Sequence, residues 1–243
     1  QYLSFSRSVT SSQSYPSSIM GSIALLKQLY IDADWYAKGN IKTKDLSLEA
    51  LNKNKALVQF FEAGNRANIL RADKVGDPYG IQYVMLGGGD EYERVNDIKA
   101  TNAKLILPLN FPDAYDVENT FLASTLSLSD MRAWNQKPSN PKILAENNVN
   151  FILTAADNKK PEDFLTNLRK AVFYGFPKEK AISALTENPA KILKQENLIG
   201  TLVKGKLANF IITSKDIFEN DATIHENWVQ GNRSIIDKMD NDD

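Results

Sequence analysis

The chain has 243 residues, 42% hydrophobic and 24% charged, enough apolar material to bury a core. Its 29 lysines and arginines balance 30 aspartates and glutamates for a formal charge of -1, which argues against a nucleic-acid surface with its usual basic excess. There is no cysteine and one histidine, His225, so disulfides and thiolate ligands are excluded.

The histidine count bears most directly on chemistry. Hydrolytic zinc sites use two or three imidazoles with a carboxylate, and one histidine cannot supply them. An oxygen-only site for magnesium or calcium would need clustered acids, and no Asp-x-Asp-x-Asp loop occurs. The expectation is no metal and no other cofactor. No apolar run approaches the ~18 residues of a membrane helix, so no membrane partner is expected. Gln1 opens neither with methionine nor with a basic-then-apolar signal layout, which points to a processed or excised chain.

In chain order, a serine-rich start reads as a flexible leader or an ordered loop. Met20–Lys38 has helical apolar spacing and a stop at Gly39-Asn40. A polar stretch with a short helix around Leu46–Leu51 follows. From Ala56 the rhythm becomes regular. Strands are expected at Leu57–Phe61, Ile81–Leu86, Leu105–Leu107 and Phe151–Thr154. Helices are expected at Arg66–Asp77, Glu91–Ala100, around Ser129–Trp134, from Pro141, where proline suits a first turn, and at Asp163–Tyr174. Asn110–Leu128 reads as irregular. Short apolar strands alternating with helices imply parallel βαβ units, and their continuous apolarity implies cover on both faces. A segment of (β/α)₈ barrel and a doubly wound sheet both fit.

After Gly175 come helices at Lys178–Leu185 and Pro189–Leu193. Three strand-like segments follow, at Ile199–Lys206, Ala208–Thr213 and Trp228–Arg233, joined by glycine turns. They read as a small antiparallel unit. The expected organisation is a leader loop and helical segment over 1–55, a barrel portion over 56–195, sandwich strands over 196–236 and a disordered acidic tail over 237–243.

The tail also carries a likeness. Thr186-Glu187-Asn188-Pro189-Ala190, followed by Ile199-Gly200-Thr201-Leu202, Lys204-Gly205-Lys206 and Ala208-Asn209-Phe210, resembles the C-terminal signature of the amidohydrolase superfamily. The likeness extends upstream more weakly to Ser14 and looks closest to the imidazolonepropionase-like branch. It implies a TIM-like α/β barrel, partial or degenerate here, with a β-sandwich remnant, and kinship with metal-dependent hydrolases of non-peptide C–N bonds. Phe151-Ile-Leu-Thr-Ala-Ala-Asp157 resembles the strand whose terminal aspartate is catalytic in that branch, which makes Asp157 the candidate. Glu62 and Gly64 stand near one strand end where the family has histidines, and Gly87 stands at another. The opening His-x-His strand is absent.

Each of these residues also has a plainer reading. Asp157 serves equally as a loop carboxylate or a helix cap before Pro161. Glu62 is a replacement ligand or general base, or else a carboxylate paired with Arg66 or Arg71. Gly87-Gly88-Gly89 is a substrate-binding turn, in the sharpest form a phosphate cradle, or a tight turn left where a histidine was lost; Asp90-Glu91 would repel an anion. Asn110 lies on the long loop after the third strand and could line a pocket. His225 reads as a surface or turn histidine. The expected function is a catalytically silent relative of C–N hydrolases with a structural or substrate-binding role. The rivals are an active hydrolase, with histidines from a further N-terminal segment or a carboxylate-only metal site using Glu62 and Asp157, and a phosphate-binding barrel. Since a full barrel alone takes about 250 residues, the open strand edges should be covered by such a segment, by a partner subunit or by self-association.

Overall fold

The computed structural model describes residues 1–7, 12, 14–39 and 43–237. The acidic tail from 238 on, Asn40 of the expected helix stop and part of the serine-rich start lie outside the described residues. The chain divides into two compact units, Gln1–Ile106 and Leu107–Asp243.

In the first unit the elements are β1 (Tyr2–Ser4), α1 (Ile19–Ala37), α2 (Leu46–Asn54), β2 (Gln59–Glu62), α3 (Arg66–Gly76), β3 (Tyr83–Leu86), α4 (Val95–Ala100) and β4 (Lys104–Pro108), which crosses the unit boundary. Within the serine-rich start, Tyr2–Ser4 are ordered: β1 pairs in parallel with β2, Leu3 opposite Phe61. Three residues are too few to show a periodicity, and their order comes from the neighbouring ladder. β2 pairs in parallel with β3, and β3 with β4.

The core beneath this sheet is aromatic. Phe61 is fully buried, with Phe5 at 4.7 Å and Tyr83 at 5.2 Å between ring centroids, both edge-on. The Tyr83 hydroxyl bonds that of Tyr30 on α1 at 2.7 Å, which satisfies two buried polar groups at once. Burial raises the pKa of both phenols. α1 begins where Ser18 accepts the Gly21 N–H, and α3 where Asn65 accepts the Asn68 N–H, both side-chain N-caps.

In the second unit α5 (Thr120–Thr125), α6 (Leu128–Gln136), α7 (Asn140–Glu146), β5 (Phe151–Thr154), α8 (Asp163–Phe173), α9 (Lys178–Leu185) and α10 (Glu187–Ile192) precede β6 (Phe210–Thr213), β7 (Ile224–Val229) and β8 (Asn232–Ile235). The Leu109 N–H donates to Thr154 O at 3.3 Å, and the larger sheet has the order β1-β2-β3-β4-β5. The architecture is a parallel α/β sheet like part of a TIM barrel, and β6-β7-β8 is a separate antiparallel sheet.

Two further expectations change here. Ile199–Lys206 is not a strand: Lys206 Nζ donates to Thr201 Oγ1 at 2.7 Å, and Gly205 turns the chain at a φ of 98°. His225 is half-buried and not in a turn. It lies on β7 with its Nδ1 shielded from solvent. Three backbone carbonyls, of Ile217, Asn220 and Ala222, accept from the Arg169 guanidinium and fix the 217–222 loop against α8. Glu226, 7% exposed, accepts from Trp228 Nε1 and Arg233, and Arg233 above all holds its carboxyl below the usual range.

Candidate functional site

Ligands of parallel α/β folds sit at the carboxyl ends of the strands, where the βα loops begin. In the first unit these are the ends of β2 and β3. The Ala63 and Gly64 N–H groups both donate to Leu86 O at 3.0 Å, so the two ends are knitted together. This brings Glu62 and the glycine triplet into one neighbourhood. Glu62 is exposed and accepts from the Tyr2 hydroxyl at 2.7 Å. Arg66 pairs instead with Asp90 and Glu93, and Arg71 donates to Asn68, so neither arginine is the partner expected for Glu62. Asp90 and Glu93 together raise the Arg66 pKa.

The triplet Gly87–Gly89 is closed by the chain itself. Glu91, fully buried, accepts the Gly88 N–H at 2.8 Å and the Gly89 N–H at 3.2 Å through Oε1. The backbone donors that would cradle a phosphate are already turned to an internal carboxyl group. A Cβ on Gly87 would stand 2.0 Å from that same Oε1, and one on Gly88 would stand 2.0 Å from the Gly64 carbonyl oxygen. No side chain fits at position 88 without moving backbone, and none fits at 87 while Glu91 holds its place.

In the second unit the ends of β4 and β5 carry the other candidates. Asn110 is half-buried directly after Leu109, and Asp157 is exposed in the left-handed region at a φ of 67°. Asp157 caps no helix: α8 starts after Glu162 without a side-chain cap. Asn167 on α8 donates to Leu109 O at 2.7 Å and to Asn158 Oδ1 at 3.4 Å, linking the loops that follow β4 and β5. The Asn158 Nδ2 is shielded from solvent and has no hydrogen-bond partner. Lys170 lies over the Phe111 ring at 5.7 Å from its centroid. Sequence reasoning missed Glu91, Asn158 and Asn167. Only the acidic residue just past a glycine triplet carried a readable signal, and it was taken for a repulsive charge rather than an internal ligand.

The fold's relatives raise the question of a metal. Among the described residues no three of His, Cys, Asp or Glu lie together as a set able to hold one. With Gly87 and Gly88 closed to side chains, the ends of β2 and β3 do not fit such a centre. Cavities lie elsewhere: about 480 Å³ beside the start of α1, lined by Phe5, Arg7, Ser18 and Ser22, and about 840 Å³ in the second unit between α8 and the 218–221 loop.

A family model described as the amidohydrolase family matches residues 90–236, and the chain belongs to that family. No curated protein matches. An amidohydrolase from Thermotoga maritima MSB8 superposes with a TM-score of 0.71 at 20% identity, covering 90% of this chain and 56% of its own. A Xaa-Pro dipeptidase with methionine bound in its active site gives 0.54 at 17% identity, covering 77% of this chain and 47% of its own. An A. niger ochratoxinase gives 0.51 at 20%, covering 76% and 42%. The chain thus spans about half the length of the structures it resembles, and at these identities the likeness is one of fold.

Proposed function

We propose that this chain is a catalytically silent amidohydrolase relative with a structural or small-molecule-binding role. The observation that carries the reading is the closure of the β2 and β3 ends. Glu91 occupies the space a ligating side chain at position 87 would need, and its carboxyl group is committed to two backbone amides. Asp157 then has no ligand set to complete, and an exposed aspartate in a left-handed turn is a loop carboxylate. Its place at the end of a strand in Phe151–Asp157 is what favours the imidazolonepropionase-like branch within the family. The test is hydrolysis of N-acyl amino acids and cyclic amides by the purified chain with zinc or manganese added. The expected result is no turnover above the metal blank and no stoichiometric metal retained after gel filtration. Turnover lost on Asp157→Asn would overturn the reading.

The sheet edges favour a second element of the proposal. β1 and β5 end the strand order, and open parallel edges invite pairing with further strands. We propose that additional chain, a partner subunit or a second copy covers them. Sedimentation of the chain alone at micromolar concentration should show self-association, and a monodisperse, thermally stable monomer would count against it.

A further inference from the structure

We infer that the outward face of α1, a stripe formed by Met20, Ala24, Ile31 and Trp35, is a docking surface for a second copy of this chain, met as an antiparallel helix pair. The inference is independent of the proposed catalytic silence and uses a surface other than the sheet edges. The first observation is composition. Only three of the 19 residues of α1 are charged, and a helix that is apolar on its outer as well as its inner face is ordinarily covered on both. Met20 is 79% exposed, Ile31 50% and Trp35 48%, and Ala24 is exposed among them. At about 100° per residue the four fall within an arc of about 60°. Among the described residues no helix is long and apolar enough to cross a membrane, so the stripe calls for a docked surface rather than a bilayer span.

The second observation is direction. Ser22 and Ala33 are buried: Ser22 Oγ donates to Phe5 O at 2.9 Å, and Ala33 O accepts from Asn52 of α2 at 2.7 Å. These inward residues stand about 170° round the helix from the centre of the stripe. Helices in one layer over a sheet meet their neighbours side by side. A further helix of the same layer would therefore cover a flank of α1 and leave the stripe bare, so the occupant comes from outside that layer. The third observation is charge. Lys27 and Asp34 are exposed and lie along one edge of the stripe, seven residues apart. In an antiparallel pair a two-fold axis sets this edge against its own copy. Lys27 of each copy then stands opposite Asp34 of the other, while the small Ala24 faces the large Trp35. Lys27 makes no ion pair among the described residues. Asp34 has Lys38, an i,i+4 pair with both side chains more than half exposed, which is worth little. Faces on helices about 28 Å long bury less than the ~1,200 Å² of a standard interface, so the dimer is a weak one.

The test is sedimentation equilibrium of the chain and its variants from about 1 to about 100 μM, a range that suits a weak interface, with a melting profile recorded for each. The chain is expected to dimerise within it. Ile31→Glu, which places a charge in the middle of the stripe, should weaken the dimer by at least about tenfold, and Lys27→Glu should weaken it less, each with an unchanged melting profile. Lys27→Glu combined with Asp34→Lys restores opposite charges across the pair and should recover most of the loss. Neither substitution does so alone. A chain that stays monomeric throughout, or charge reversals whose effects simply add, would overturn the second copy and give the stripe to a different partner. Association that ignores Ile31→Glu would overturn the α1 face while leaving the sheet edges as the contact. Turnover in the hydrolysis assay would sink the catalytic silence and leave the α1 pair standing, so these ideas fail separately.

Discussion

The strand ends of the two units are finished in opposite ways. At β2 and β3 the backbone donors of Ala63, Gly64, Gly88 and Gly89 have internal acceptors: Leu86 O takes two, Glu91 takes two, and Arg66 ties the following loops through Asp90 and Glu93. At β4 and β5 a donor is left over, an aspartate sits in a left-handed turn, and the following α5 and α6 bury none of their residues. The first arrangement is a plug with its donors satisfied; the second is the kind of unfinished surface on which ligands act. That contrast is the support on which the proposed non-catalytic role rests.

The comparison predicts where truncation does harm. The largest effect should come from Phe61→Ala, which removes a fully buried ring clasped by Phe5 and Tyr83; a loss of about 3–5 kcal/mol is expected from denaturant unfolding. Glu91→Ala should follow. It strands the Gly88 and Gly89 N–H groups in a buried turn, at about 1–3 kcal/mol for each that finds no water. Glu91→Gln retains an acceptor and should recover most of that loss. If Glu91→Ala were as stable as the parent, the plug would be a coincidence of packing, and the contrast between the two sets of strand ends would collapse.

The same contrast explains what was legible in the sequence. The strands from Gln59 onward and the helices between them follow apolar period and glycine or proline stops, so Phe151–Thr154 and Lys178–Leu185 were readable to the residue and β2 to within two. β1 was not, because Tyr2-Leu3-Ser4 is ordered by pairing with β2 rather than by its own pattern. α5 was hidden because it is held by the Asn119 cap and buries nothing, leaving no apolar period to a core. Ile199–Lys206 had the composition of a strand but is fixed by Lys206 reaching Thr201. At the candidate site, Glu62, Asp157 and the triplet could be named because strand ends can be counted. Glu91 as an internal ligand and Asn158 as an orphan donor depend on where two side chains turn, which no spacing encodes.

A smaller effect is expected from Asp73 on α3, whose pKa rises to about 6, chiefly through burial and then through repulsion by Asp77. The sign follows from linkage. A carboxyl group with a folded-state pKa above its unfolded value contributes stability that is fully present below about 4 and is lost as pH rises through about 6. Asp73→Asn, which keeps the shape and removes the charge, should therefore be the more stable protein at pH 8. The gain is about 1 kcal/mol once solvent screening of a half-buried group is allowed for. The two proteins should converge near pH 4. Urea midpoints at both pH values decide it, and a constant difference across the range would assign the effect to packing instead.

The smallest effect on stability should come from the loosely covered helices. Phe121 on α5 is 73% exposed, and Leu128 and Met131 on α6 are exposed as well. Both helices are well begun: Asn119 caps α5, and Ser127 with Asp130 forms a capping box on α6. Caps start a helix, yet helices this short gain most of their stability in proteins from a packed face. An exposed phenyl ring has little burial to lose, so Phe121→Ser should shift the unfolding midpoint by no more than about 0.5 kcal/mol. Solubility should change more than stability, because removing a ring from an apolar patch lowers the drive to associate. Sedimentation and urea unfolding of the same preparation separate the two quantities. Reduced self-association at unchanged stability would place α5 in the surface through which copies meet. A loss approaching that of Phe61→Ala would mean that the ring is buried in solution, and the contrast in cover drawn between the two units would be wrong at that point.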